Sequence, residues 1–131
     1  MDYSGFEFAI IHLGINDVNY KAEDVTVEAM LEEYKININN IITKLKENNK
    51  GIKIFIATII PSYAKVENPV YNSMNDKIKE IVEETENAYL LDLNAYSFLA
   101  THDAYNVWHP TALGYAKLGE EIKCFISYII N

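Results

Sequence analysis

The 131-residue chain has one cysteine, Cys124, which excludes an intrachain disulfide and a thiolate metal cluster. Cys124 falls in an apolar helical pattern near the C-terminus and reads as a buried, inert thiol. Basic residues are scarce: 11 Lys and Arg against 19 Asp and Glu leave a net charge of −8. That sign argues against nucleic acid and against an anionic membrane surface as the main partner. No apolar run approaches the roughly 20 residues that span a bilayer. Met1-Asp2-Tyr3-Ser4-Gly5 lacks the basic and apolar regions of a signal peptide, and nothing in the chain fixes a compartment. There is no repeat, low-complexity tract or linker-like shift in composition. The expectation is one domain over residues 1–131.

Half of the residues are apolar, enough to build a core. Phe6 to Leu13 is an apolar run stopped by Gly14, the pattern of a parallel strand buried on both faces. Loop residues Gly14 to Asp17 and a polar loop from Val18 to Asp24 follow. A helix is predicted from Thr26 to Asn49, with Met30, Leu31, Tyr34, Ile38, Ile41, Ile42 and Leu45 on one stripe. Thr26 is a capping residue, Glu28 and Glu32 suit the positive end, and Gly51 is a stop signal. Ile52 to Ile60 is a second strand, rich in β-branched residues and ended by Pro61. Asn68-Pro69 opens a second helix, Ala88 to Leu93 is a third strand, and His109-Pro110 opens a C-terminal helix. This alternation implies an α/β fold with a parallel sheet.

Ligands of open parallel sheets bind outside the carboxyl ends of the strands. Asn16, Ser62 and His109 all belong to segments that reach that edge. A neutral imidazole such as His109 suits a general base near pH 7. A side-chain amide held at a strand end, as in Asn16, suits a developing oxyanion. Base plus oxyanion donor points to acyl transfer. Taken singly, each has a plainer reading, His109 as a helix cap and Asn16-Asp17 as turn chemistry. A metal site from His12, His102, Asp103 and His109 matches no ligand spacing, and His12 is read as lying inside the first strand. No metal or cofactor is expected.

Leu13-Gly14-Ile15-Asn16-Asp17 resembles the third sequence block of the SGNH (GDSL-type) hydrolases, and His109-Pro110-Thr111-Ala112-Leu113-Gly114-Tyr115 resembles their last block. Ala57-Thr58-Ile59-Ile60-Pro61 and Tyr71-Asn72 are also similar, so the likeness runs from Phe6 to about Ile126. The resemblance implies a flavodoxin-like, three-layer α/β/α sandwich. It implies an esterase acting on acyl esters, in many members those of carbohydrates. It assigns His109 as catalytic base and the Asn16 amide as oxyanion donor. Trp108 and Tyr105, beside His109, are candidates for a sugar-facing wall.

Two departures stand out. The family's serine lies in a Gly-Asp-Ser block on the first strand's loop, and a second block supplies a glycine amide. Neither block occurs in this sequence. Ser4 precedes the first strand, hence belongs to the opposite sheet edge. Ser62 is at the correct edge but has no strand-to-helix elbow. The family also places Asp three residues before the histidine, where this chain has Asn106. An amide orients the ring without stabilising the imidazolium, a change that costs about 10⁴ in turnover in a serine triad. Asp103 is the nearest carboxylate in sequence. The expectation is an incomplete SGNH-like domain with its N-terminal strands missing, inactive alone. In the family's strand order, 2-1-3-4-5, Phe8 to Leu13 then becomes a bare sheet edge. That edge invites self-association or a complementing N-terminal fragment. The alternatives are a non-catalytic interaction module or one subunit of a split enzyme.

Overall fold

The computed structural model describes residues 2–61, 68–95 and 109–130. Among these, three strands and four helices alternate along the chain. The strands are β1 (Phe8–Ile11), β2 (Lys53–Ala57) and β3 (Ala88–Leu91). They form one parallel sheet in the order β1-β2-β3, with Phe8 opposite Lys53 and Ile54 opposite Ala88. The helices are α1 (Ile15–Asn19), α2 (Val27–Lys46), α3 (Pro69–Glu84) and α4 (Ala112–Ile130). No described helix is long and apolar enough to cross a membrane.

Strand alternation sorts the side chains to two faces. Ile11, Ile54 and Ile56 join Tyr34, Ile38 and Ile42 of α2 and Met74, Ile78 and Ile81 of α3 in one core. Phe55, Ala57, Leu91 and Leu93 join Leu118 and Ile126 of α4 in the other. An aromatic row crosses the sheet on the α4 side: Phe8 meets Phe55 edge-on at 6.0 Å, and Phe55 stacks on Tyr89 at 5.4 Å. Among the described residues β2 is covered on both faces, with Ile54, Phe55 and Ile56 fully buried. The first strand is shorter and more open than its apolar run predicts. Phe6, Ile10 and Leu13 are 60%, 42% and 51% exposed, and β1 has a neighbour on one side alone among the described residues.

The helix signals hold at two starts. Thr26 Oγ1 accepts the Ala29 N–H at 3.1 Å, and Asn68 Oδ1 accepts the Val70 N–H at 3.0 Å with Pro69 in the first turn. Between α2 and α3, Lys35 bridges Glu80 and Glu84, while Lys77 bridges Glu32 and Glu80. Three expectations are corrected. Ile15–Asn19 is a short helix, where a loop was expected through Asp24. The last helix starts at Ala112, and Thr111, not His109, caps it: Thr111 Oγ1 accepts the Gly114 N–H at 3.2 Å. Cys124 is exposed, on a face of α4 turned away from the core.

Candidate functional site

The site begins where β1 stops. After Ile11 the chain passes through His12 and Leu13 to Gly14, whose φ of 115° is a conformation that L side chains rarely adopt. A Cβ at Gly14 would sit 3.1 Å from the Tyr34 ring and 3.4 Å from the Met74 sulfur. The buried Tyr34 hydroxyl donates to the Leu13 carbonyl at 3.2 Å. Burial, reinforced by the Asp17 carboxylate, pushes its phenol well above the ordinary tyrosine range, so it stays a donor. This tight corner turns the chain directly into α1 and sets the direction of Asn16. Tyr71 braces the far end of α1, its hydroxyl donating to Asn19 Oδ1 at 2.6 Å.

The end of β2 is held from both sides. Asn75 of α3 is buried and bonds both backbone groups of Ile59: its Oδ1 accepts the N–H at 2.8 Å and its Nδ2 donates to the carbonyl at 3.0 Å. Thr58 Oγ1 donates to Asp92 Oδ1 at 3.0 Å and accepts the Asn94 N–H at 2.9 Å, tying β2 to the end of β3. Backbone polar groups that leave a sheet inside a core need such partners.

A cavity of about 760 Å³ opens between these ends and the start of α4. Asn16 and His109 both line it, so the structure brings together the two residues singled out as oxyanion donor and base. Ile59, Ile60, Leu118 and Ile122 give it an apolar wall, and His12, Asn19 and Tyr20 complete its polar side. The Asn16 amide makes no hydrogen bond to another described residue, which leaves its N–H groups open to a ligand. His109 precedes the cap of α4 by two residues.

His12 was missed. It lies just beyond the last residue of β1, not inside the strand, and its ring lines the cavity. The signal for it is one polar residue at the carboxyl end of an otherwise apolar run. Although His12 keeps contact with solvent, desolvation by the surrounding residues lowers its imidazole pKa from the ordinary histidine value. Ser62, His102, Asp103, Tyr105, Asn106 and Trp108 fall outside the described residues. Among the described residues, no three His, Cys, Asp or Glu side chains gather as a metal-holding group.

No curated protein matches this sequence. The family model of the GDSL-like lipases and acylhydrolases matches residues 4–117, which takes in the turn at Gly14, both Asn16 and His109, and the start of α4. A match over most of the chain, with those residues at one cavity, makes it a member of the GDSL-like lipase/acylhydrolase family.

Proposed function

We propose that this chain is the base-and-oxyanion portion of a serine esterase that hydrolyses O-acyl esters of small molecules or carbohydrates. One observation carries the reading: Asn16 and His109 line the same cavity at the carboxyl edge of a parallel sheet. In this scheme a serine hydroxyl attacks the ester carbonyl while His109 takes its proton. The Asn16 amide donates to the oxygen as it becomes negative. The intermediate collapses, the alcohol leaves with the proton from His109, and water repeats the sequence to release the acid. Asn106, or Asp103 in its place, orients the His109 ring, and Tyr105, Trp108 and Ser62 border the substrate.

The 131 residues contain no Gly-Asp-Ser block. The serine therefore comes from a further segment, docked beside β1, which has one unoccupied side among the described residues. Such a segment completes a three-layer, flavodoxin-like α/β/α sandwich, of which residues 1–131 form the greater part of one domain. The same open edge supports a second reading, a non-catalytic module that binds a partner strand.

Chromogenic assay with 4-nitrophenyl acetate separates these readings. The 131-residue chain alone should give no turnover that depends on His109. Addition of a segment bearing the Gly-Asp-Ser strand should give turnover that His109→Ala abolishes. Asn16→Ala should lower that turnover about 10²- to 10³-fold, the usual cost of one oxyanion donor. Turnover by the chain alone that vanishes in His109→Ala would overturn the missing-serine reading and direct attention to Ser62. A segment that binds without creating turnover would favour the interaction module.

A further inference from the structure

We propose that Tyr71 is a positioning residue for the oxyanion donor: acting through Asn19, its hydroxyl fixes the tilt of α1 and thereby the direction of the Asn16 amide. The proposal rests on the ester-hydrolase reading of the cavity and adds a buried residue of α3 that stands behind it. Helix α1 has five residues, far below the dozen or so at which a helix holds its own shape in water. Gly14, at its N-terminal cap, has no side chain to bond the first turn. The orientation of α1 therefore comes from what it is tied to. The corner at Gly14 fixes its start, and Val18 is its one buried residue. The tie at its other end is the 2.6 Å bond from the Tyr71 hydroxyl to Asn19 Oδ1. Asn16 and Asn19 are three positions apart, hence on one face of the helix, and both line the cavity. A tilt that lets Asn19 go carries Asn16 with it.

Two further observations set this bond apart from a surface contact. Tyr71 is buried among the side chains that α2 and α3 share with the sheet, so its hydroxyl is a fixed point. Burial also raises its phenol above the ordinary tyrosine value, which keeps it a donor. Asn75, about one turn further along α3, uses the same buried face to hold both backbone groups of Ile59. One helix thus sets both the oxyanion side of the cavity and its apolar wall. The separation of the two is built into the spacing of Tyr71 and Asn75 on that helix.

The test is a double-mutant cycle in the complemented assay. Tyr71→Phe removes the hydroxyl and keeps the ring. It should lower kcat about tenfold, part of the roughly 10²- to 10³-fold carried by one oxyanion donor, with KM within about twofold of the parent. In an Asn16→Ala background the same change should lower kcat by less than about twofold, because the group it positions is gone. Ile81→Val, a core change about three turns along the same helix, should lower the urea midpoint yet leave kcat within about twofold. The 131-residue chain alone gives a second readout in a nitrogen–proton correlation spectrum. The Asn16 side-chain amide signals, identified by their loss in Asn16→Ala, should shift in Tyr71→Phe and stay in place in Ile81→Val. An unchanged kcat, an equal loss with and without Asn16, a loss in Ile81→Val as large as in Tyr71→Phe, or unmoved Asn16 signals overturns the proposal. No His109-dependent turnover in the complemented parent would fail the esterase reading alone, and the amide signals would then decide whether Tyr71 directs Asn16.

Discussion

Gly14 is the residue on which the site's geometry turns. Its φ of 115° and the Tyr34 ring 3.1 Å from the space a Cβ would occupy impose two separate penalties on any side chain. Gly14→Ala should destabilise the chain by about 2 kcal/mol, from backbone strain together with displacement of Tyr34. Urea unfolding followed by circular dichroism measures that loss, and an unchanged midpoint would show that the corner yields freely. The glycine stood out in the sequence as a strand stop, and Asn16 as a polar group presented after it. His12 did not, because a single polar residue in an apolar run has no periodic signature and strand ends are uncertain by a few residues. Asn75 was equally silent: its role depends on Ile59, sixteen positions earlier, meeting it in space.

At the scale of elements, α2 and α3 are joined on their outer surface by the Lys35, Lys77 and Glu80 network. The hydrogen bond from Lys35, then that from Lys77, holds the Glu80 carboxyl below the ordinary glutamate range. A carboxyl whose pKa is lower folded than unfolded contributes stability above the unfolded value. That contribution is lost as pH falls through the folded one. Glu80→Gln should therefore flatten the decline in stability between neutral and strongly acidic pH, with no comparable change in slope above pH 6. Because the Glu80 side chain is partly open to solvent, the difference between the two proteins should shrink as sodium chloride is raised. Urea midpoints across that pH range, at low and high salt, check both. Helix starts were legible because Thr26 and Asn68-Pro69 are local chemistry. The start of α4 was not, since His109-Pro110 and Thr111 are adjacent and only the Thr111 bond to Gly114 decides between them. The five-residue α1 is too short to carry a period, so its sequence read as a loop.

For the whole molecule, the alternating order of strands and helices was readable from apolar patterning alone, and the parallel sheet follows from it. What patterning could not give was coverage. β1 is wholly apolar and β2 carries Lys53, yet β2 is sealed and β1 leaves Ile10 at 42% exposure. A sheet edge of this kind pairs with other chains unless charge or a covering element blocks it. The chain should thus associate reversibly, with a weight-average mass that rises with concentration in sedimentation experiments. Ile10→Lys should lower that mass toward the monomer without loss of secondary structure. A monodisperse monomer of the parent chain at high concentration would contradict the expectation.

The bonds from Asn75 to both backbone groups of Ile59 place one wall of the cavity under the control of a helix on the far face of the sheet. In the language of cooperative unfolding, α3 and the end of β2 form one unit, because their separation strips partners from the buried Asn75 side-chain amide and from both backbone groups of Ile59. The cavity wall at Ile59 and Ile60 therefore has no independent freedom to open. Adaptation to a ligand must come from the opposite rim, from α4 or from the turn at His12.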